Sequence, residues 1–231
     1  MIDLVNRPVP LGEQIAAVLR RRIVGGGLTR GDRLTEESLA EEFQVSRGPV
    51  RDAITQLVFE RLLRIQKPRG VYVIGLDEED VEQLYSLRGA LERLALTRAM
   101  RVKDDARWTP LRTSVKQMNS AADAGDYDGF TQADLAFHSG IYELSDHPRL
   151  EAAWRQYFPT FEALLEVTIN HDADLHESAI DHEKLLSLMR SNDSITAVAA
   201  MERHLEAARE RMVLEMGKTT HKKIDSELLT N

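Results

Sequence analysis

The stretch that decides the fold of this chain is Leu34-Thr-Glu-Glu-Ser-Leu-Ala-Glu-Glu-Phe-Gln-Val-Ser-Arg-Gly-Pro-Val-Arg-Asp-Ala-Ile-Thr-Gln-Leu57. It predicts a short helix, a tight turn around Gln44, and a second helix that begins at Arg47 with Ser46 as its N-cap. Pro49 would then lie in the first turn of the second helix, where a missing N–H costs no hydrogen bond. The stretch therefore predicts a helix-turn-helix.

The second helix carries two stripes of residues at helical spacing. The apolar stripe consists of Val50, Ile54 and Leu57, and the polar stripe consists of Arg47, Arg51 and Thr55. The N-terminal residues of a recognition helix meet base edges in the major groove, where an arginine can grip guanine or a phosphate with two hydrogen bonds. The pattern indicates double-stranded DNA as a partner, although such a stripe can also be only a solvated surface.

A basic hairpin is predicted after the second helix. Residues Leu63 to Lys67 and Val71 to Ile74 have the composition of strands, and they flank the turn sequence Pro68-Arg69-Gly70. The hairpin would extend the helix-turn-helix to a winged form, and its tip would reach a minor groove or phosphates.

Charge is distributed unevenly along the chain. The whole chain has 30 Lys and Arg against 38 Asp and Glu, a net charge of −8. Residues 1–75 contain 12 basic and 9 acidic residues, so they carry +3 and the remainder, 18 against 29, carries −11. A locally basic end beside an acidic remainder suggests two domains with different partners.

The length of 231 residues suits two domains. We expect a winged helix-turn-helix domain over 1–75, opened by a helix from about Leu11 to Val24, an all-helical domain over 76–217, and a flexible tail over 218–231. The fold class is mainly α, because no strand pattern interrupts the second domain, which is predicted to be an antiparallel six-helix bundle. Its helical stretches lie at about 78–101, 105–124, 127–144, 148–170, 174–190 and 193–216.

Composition excludes several classes of protein. The absence of cysteine excludes disulfides and thiolate metal sites. No apolar run approaches the roughly 20 residues that span a bilayer, and no signal peptide is visible. We therefore expect a cytoplasmic protein.

Three predicted bundle helices direct polar residues toward apolar faces. Asp134 and His138 lie one turn apart on the face that contains Phe137, while His182 and His204 lie on or beside the apolar faces of two later helices. A buried carboxylate is costly unless it is paired or metal-bound. One interior histidine is more often a hydrogen-bonded core residue, but the four residues together suit a divalent ion such as zinc, nickel, manganese or iron. We interpret the remaining histidines as surface or capping residues: His147, His171, His176 and His221.

These motifs resemble a known family of bacterial regulators. Leu34-Thr-Glu, Leu39-Ala40, Val45-Ser-Arg-Gly-Pro-Val-Arg-Asp-Ala-Ile54 and Arg69-Gly70 resemble the winged helix of GntR-type transcription regulators. The later part resembles the FCD effector domain of the FadR-like branch, through these residues: Leu87-Arg88, Glu92, Asp134, Phe137-His138, Asp181-His182 and His204. The resemblance covers about Leu11 to Met216.

The resemblance implies roles for particular residues. Operator DNA would be contacted by Arg47, Gly48, Arg51, Arg69 and Gly70. An ion, often zinc or nickel in such domains, would be bound by Asp134, His138, His182 and His204, with a small carboxylate effector beside it. Arg88 would help to hold that carboxylate.

Arg88 allows two interpretations. It lies one helical turn before Glu92, so it can form a surface pair worth a few tenths of a kcal/mol. Its neighbours Leu84, Leu87 and Leu91 suggest instead that it borders the core face, and a guanidinium beside a metal ion is a good clamp for a carboxylate. We favour anion binding. The sequence does not orient four further candidates for the same cavity: Tyr142, Trp154, Tyr157 and Asn170.

Three positions depart from the pattern of the family. Gln44 and Arg61 stand where glycine is common, so a non-glycine residue must adopt that backbone conformation or the turn must differ. Glu37 stands where some relatives carry a DNA-contacting arginine. The operator sequence therefore cannot be copied from relatives.

We expect a ligand-responsive transcription repressor that binds an inverted-repeat operator as a homodimer. Its effector would be a small carboxylate bound at the metal site, and the protein would not be an enzyme. Two alternatives remain open. One is a regulator that senses the metal ion itself, and the other is a metalloenzyme in which the ion activates water.

Overall fold

A computed structural model describes residues 9–66, 70–172, 174–191 and 193–228, with side chains described as far as residue 218. The chain divides between Asp77 and Glu78 into two compact units. The first unit contains three helices and a small sheet, and the second is helical throughout its described elements. The structure is thus mainly α, as the sequence predicts.

The first unit is a winged helix-turn-helix. Its helices are α1 (Leu11–Val24), α2 (Glu36–Glu42) and α3 (Arg47–Phe59), and its strands are β1 (Arg33–Leu34), β2 (Leu63–Gln66) and β3 (Gly70–Val73). The three strands are antiparallel in the order β1-β3-β2. Strand β1 was not predicted, because two residues are too few to show an alternating pattern.

The predicted apolar stripe of α3 forms the core of this unit. Val50, Ile54 and Leu57 are buried and pack with Leu19 of α1 and Val73 of β3. Burial of three large aliphatic side chains contributes several kcal/mol of hydrophobic free energy. The stripe therefore fixes which face of α3 points inward, and the arginines point to solvent.

The turn between α2 and α3 uses a non-glycine residue in a left-handed conformation. Gln44 has φ +54°, and Arg61, just after α3, has φ +61°. Both residues therefore adopt the backbone shape that glycine supplies elsewhere. Ser46 is at the N-cap position of α3 as predicted, but its side chain makes no capping hydrogen bond. The side-chain cap is found one helix earlier, where Thr35 accepts a hydrogen bond from the Ser38 amide.

The described residues of the second unit form six α-helices and one short 3-10 segment. Its α-helices are α4 (Glu78–Ala99), α5 (Thr109–Ala124), α6 (Tyr127–Leu144), α7 (Pro148–Ile169), α8 (Leu175–Met189) and α9 (Ser194–Leu228). The 3-10 segment, Asp105–Trp108, occupies the start of the stretch that we predicted as one helix from 105. Within the bundle α4 packs on α6, α7 and α9, and α5 packs on α6 and α8.

The last helix is longer than predicted. We expected a flexible tail from Lys218, whereas α9 continues to Leu228. The segment contains no proline, and a lone Gly217 costs an exposed helix only about 1 kcal/mol. The polar composition of the residues beyond Gly217 was therefore a poor reason to predict that the helix ends there, because these residues include good helix formers.

The buried face of α4 differs from the one we inferred around Arg88. Its buried residues are Val81, Tyr85, Arg88, Glu92, Ala95, Leu96 and Ala99. Leu87 is exposed, and Leu84 and Leu91 are only half-buried. The leucines thus lie beside or opposite the core face, and the polar pair Arg88 and Glu92 occupies the core. None of the described helices is both long and apolar enough to cross a membrane.

Candidate metal centre and DNA-contacting helix

Four polar residues converge inside the second unit. Asp134 and His138 come from α6, His182 comes from α8 and His204 comes from α9. Each offers one ligand atom, and these atoms all lie within 4.8 Å of one another. Asp134, His138 and His182 are buried, and His204 is half-buried. The four residues predicted from the sequence as metal ligands are therefore brought together.

Local structure explains how α6 supplies two of them. Asp134 and His138 are one turn apart, so both side chains project from one face of the helix. That helix is anchored at its start by Asp126, whose side chain accepts a hydrogen bond from the Gly129 amide. Phe137 packs edge-on against both His138 and His182, with ring centroids 5.6 and 5.2 Å away. The aromatic ring thus restricts how the two imidazoles can turn.

Hydrogen bonds orient two of the imidazoles. His138 donates from Nδ1 to Oε2 of Glu92 over 2.7 Å, and His182 donates from Nδ1 to the Ser178 carbonyl over 2.8 Å. In both rings this leaves the Nε2 lone pair directed toward the cluster. Metal-binding histidines commonly have such a partner on the other ring nitrogen, which fixes the tautomer and raises the basicity of the ligand atom.

Several atoms of the cluster have no hydrogen-bond partner in the described part of the chain. They are Oδ1 of Asp134, Nε2 of His138 and Nε2 of His182. Nε2 of His182 lies 3.1 Å from Oδ2 of Asp134, and Nε2 of His138 lies 3.6 Å from Oδ1. When Nδ1 carries the proton in both rings, each Nε2 has a lone pair and no N–H to donate to the carboxylate. Buried polar atoms without partners are costly, and a bound cation would satisfy all three atoms together.

The electrostatics of the cluster favour an ionised carboxylate beside a neutral His204, whereas the pKa of His182 is raised because the attraction of Asp134 outweighs the effect of burial. Burial alone would raise the pKa of Asp134, but His182 and His138 lower it well below its usual range. Burial, followed by His182 and His138, lowers the pKa of His204 well below its ordinary value. A carboxylate anion with unprotonated imidazole is the donor set that binds divalent ions. The residues present therefore fit a zinc or nickel ion.

Arg88 is connected to the cluster through Glu92. Arg88 donates from Nε to Oε1 of Glu92 over 2.6 Å, and the other oxygen of Glu92 holds His138. Burial would raise the pKa of Glu92, yet His138 and Arg88 lower it to about 2. The surface-pair interpretation of Arg88 is wrong, since both side chains are buried. Sequence reasoning missed the role of Glu92, although its spacing from Tyr85 and Arg88 placed it on the same helix face.

Aromatic residues surround the Arg88 guanidinium. Its carbon lies 5.0 Å from the ring centroid of Phe161 and 5.5 Å from that of Trp154. Trp154 stacks on Tyr142 at 4.9 Å, and the buried Tyr142 hydroxyl has no hydrogen-bond partner among the described residues. Of the four further candidates that the sequence left unoriented, the structure buries Tyr142 and Trp154, half-buries Tyr157 and exposes Asn170.

The remaining histidines are placed away from this cluster. His147 caps α7 by accepting a hydrogen bond from the Leu150 amide. His171 is exposed and bonds the Val167 carbonyl, and His176 is exposed beside Asp174 and Asp123. The side chain of His221 lies outside the described residues.

The candidate DNA-contacting arginines lie on the open side of α3. Arg47 is 59% exposed and Arg51 is 65% exposed. Each is paired with a glutamate of α2: Arg47 with Glu37 at 2.9 Å, and Arg51 with Glu36 through two hydrogen bonds of 3.2 and 2.7 Å. Glu37 is one of the three departures from the family pattern, whereas the contact of Glu36 was not predicted.

The other candidate DNA contacts are backbone or wing positions. Gly48 is exposed in the first turn of α3. Gly70 has φ +118°, and a Cβ there would lie 3.2 Å from Nε of Arg33. The backbone conformation alone therefore accounts for a glycine at position 70, whether or not that residue contacts DNA. Arg69, with the rest of the predicted wing tip, lies outside the described residues.

Comparisons with known proteins agree with both halves of the structure. Residues 11–73 match the bacterial regulatory proteins of the gntR family, and residues 83–207 match the FCD domain. The gluconate operon transcriptional repressor of Bacillus licheniformis is 31% identical over 76% of this chain and 71% of its own length. Its counterpart in Bacillus subtilis is 26% identical over 87% of this chain and 84% of its own length.

A solved structure has a similar fold. A GntR-family transcriptional regulator from Pseudomonas syringae is 26% identical, with a TM-score of 0.57, over 94% of this chain and 91% of its own. The matched families and relatives are regulators of transcription rather than enzymes. The chain belongs to the GntR family of bacterial transcription regulators, and an FCD domain follows its winged helix in the sequence.

Proposed function

We propose that the protein is a transcription repressor whose affinity for operator DNA changes when a small carboxylate binds at a metal centre in the FCD domain. The observation that carries the proposal is the convergence of Asp134, His138, His182 and His204 in the interior of that domain. Because these residues are buried or half-buried, a small effector could reach an ion held there, whereas DNA could not. Control of one domain by ligand binding in the other requires that the ligand bind the two states of the protein unequally.

The four residues would hold zinc or nickel. One carboxylate oxygen and three imidazole nitrogens are ligands that these borderline ions accept. When bound, the ion supplies a positive charge and open coordination positions for an anionic ligand. Glu92 and the Ser178 carbonyl keep Nε2 of His138 and His182 directed inward, so the protein side of the site is organised in advance.

Arg88 and Tyr142 would bind the effector beside the ion. In the described part of the chain Glu92 is the only hydrogen-bond acceptor of Arg88, and it engages Nε alone. The terminal nitrogens of the guanidinium are thus available for a carboxylate. The unpartnered hydroxyl of Tyr142 would donate a further hydrogen bond. The gluconate repressors among the relatives make a monocarboxylic sugar acid the first effector to test.

A homodimer is supported by the outer face of α4. Leu87 is 38% and Leu94 is 47% exposed, and Leu84 and Leu91 on the same helix face are half-buried. The first turn of α4 is acidic, whereas exposed basic residues follow Leu91. Two copies of α4 packed antiparallel would cover the leucines and bring the acidic start of one helix near the basic end of the other. A two-fold dimer implies an inverted-repeat operator.

Calorimetry on zinc-loaded and metal-free protein tests the carboxylate site. We expect gluconate or another monocarboxylic sugar acid to bind only the zinc-loaded protein. Affinity should fall at least about tenfold in Arg88→Lys, because lysine keeps the charge beside Glu92 but loses the planar fork. Binding of no carboxylate, or equal binding with and without zinc, would contradict the proposal. If zinc alone changes DNA affinity and no acid does, the protein is a metal sensor.

A further inference from the structure

The paired carboxylates on α2 bear on how the recognition helix reads DNA. Glu36 is the first residue of α2, and Thr35 caps that helix, so the backbone beneath Glu36 is fixed. Its side chain receives two hydrogen bonds from Arg51, from Nε to Oε1 at 3.2 Å and from Nη2 to Oε2 at 2.7 Å. Two parallel contacts between planar groups fix the orientation of the guanidinium as well as its position.

This pairing uses one side of the guanidinium and leaves its end available. An arginine has five N–H donors in a rigid fork. Nε and one hydrogen of Nη2 bind Glu36, while both hydrogens of Nη1 and the second hydrogen of Nη2 project away from it. Among the described residues no other side chain bonds these donors of Arg51. Guanine presents two acceptors, O6 and N7, in the major groove, which match such a pair of end-on donors.

The same pairing disfavours a phosphate contact. A phosphate bound to the side of the guanidinium would have to displace the carboxylate of Glu36. A phosphate at the end would remain close to that negative charge. A guanine edge carries no net charge, so Arg51 can bind it without losing Glu36.

We propose that Glu36 is a positioning residue for sequence readout, which holds Arg51 with its end-on donors directed at a guanine of the operator. The inference rests on the proposed function, because it requires that α3 enter the major groove. Arg47 is held differently, by one hydrogen bond from Nη2 to Glu37. That single contact leaves the orientation of the Arg47 guanidinium free, so sequence discrimination is assigned to Arg51.

The test begins with duplexes selected by the wild-type protein from a pool of random sequence. Each guanine of the selected duplex is then replaced in turn, and affinities are measured at one salt concentration. At one guanine per half-site the wild type should lose about tenfold or more in affinity. That loss should disappear in Arg51→Ala, which identifies the guanine read by Arg51.

Glu36→Gln should reduce the discrimination at this guanine to within about threefold, since an amide cannot accept both hydrogen bonds of a charged fork. Its affinity for an unselected duplex should stay the same or rise, because one negative charge is removed. Glu42→Gln is the matched control, since it removes the same charge from α2 at a residue paired with Arg22 of α1. The control should keep the full discrimination of the wild type.

Two results would overturn the inference. One is wild-type discrimination at that guanine in a folded Glu36→Gln, with an unchanged melting temperature as the check on folding. The other is a selected duplex in which no guanine depends on Arg51. A wild-type protein that selects no sequence from the pool would contradict the proposed function as well. The two results above would contradict only the inference about Glu36, so the failures are distinguishable.

Discussion

At the scale of single residues, Glu92 joins the two halves of the candidate effector site. One of its oxygens accepts from Arg88 and the other from His138, and all three side chains are buried. Removal of one partner from a buried charge network costs about 3–5 kcal/mol. Conservative replacements such as Arg88→Lys are therefore better probes of this site than truncation to alanine.

His182 is the ligand whose removal is the simplest test of the metal centre. We expect wild-type protein to contain about one divalent ion per chain and His182→Ala to contain much less, because three ligands bind a borderline ion more weakly than four. Elemental analysis after purification in metal-supplemented medium measures the difference. His176→Ala, which removes an exposed imidazole from the same helix, should keep full occupancy. Full occupancy in His182→Ala would rule out the four-ligand site.

The Tyr142 hydroxyl predicts opposite effects on stability and on binding. A buried polar group without a partner costs about 1–3 kcal/mol. Tyr142→Phe should therefore raise the free energy of unfolding of the ligand-free protein by about 1 kcal/mol or more. It should also weaken carboxylate binding, since a donor is lost. Chemical denaturation and calorimetry measure the two quantities. A destabilised variant with unchanged effector affinity would mean that the hydroxyl has another partner.

At the scale of secondary-structure elements, the turn between α2 and α3 stores strain at Gln44. A non-glycine residue in the left-handed region costs roughly 1–2 kcal/mol. Gln44→Gly should raise the free energy of unfolding by about 0.5–1 kcal/mol, because part of the relief is lost to the greater freedom of glycine in the unfolded chain. Gln44→Ala keeps a Cβ and should give no such gain. Equal stability of the two variants in urea would show that the turn is not strained.

The outer face of α4 is the element that we expect to hold a dimer together. Leu94→Glu should convert the protein to a monomer at micromolar concentration, because a charge would be buried among leucines. Sedimentation velocity measures the change in mass. Ile195→Glu is the control, since Ile195 is 82% exposed and belongs to α9 rather than to α4. A Leu94→Glu variant that sediments as the wild type would remove α4 from the interface.

Helix positions and the grouping of the four candidate ligands could be predicted from the sequence, because each follows from local spacing along the helices. Asp134 and His138 share a helix face by periodicity alone, and proline and glycine mark where several helices end. The orientation of α4 could not be predicted, because leucines occur around much of its circumference. Which leucines are buried is decided by packing on α6, α7 and α9. Glu36 was missed for a similar reason, since its contact with Arg51 depends on the angle between α2 and α3.

At the scale of the whole molecule, the uneven charge distribution matches the proposed division between DNA binding in the first unit and effector binding in the second. The basic first unit carries the arginines that we propose to face DNA, and the acidic second unit contains the buried cluster that we propose to bind a metal ion and a small anion. Outside that site the second unit therefore offers little attraction to a polyanion. A small carboxylate would have to enter the bundle to reach the buried Arg88.

The most direct test of the switch is the affinity for operator DNA, measured by fluorescence anisotropy on a duplex selected by the wild-type protein. Zinc-loaded wild type is titrated with and without the carboxylate that calorimetry identifies. Allosteric couplings are typically 1–3 kcal/mol, so we predict that the carboxylate changes the dissociation constant by about tenfold. His182→Ala should bind the duplex without responding to the acid. An identical dissociation constant for zinc-loaded wild type with and without a saturating carboxylate would contradict the account.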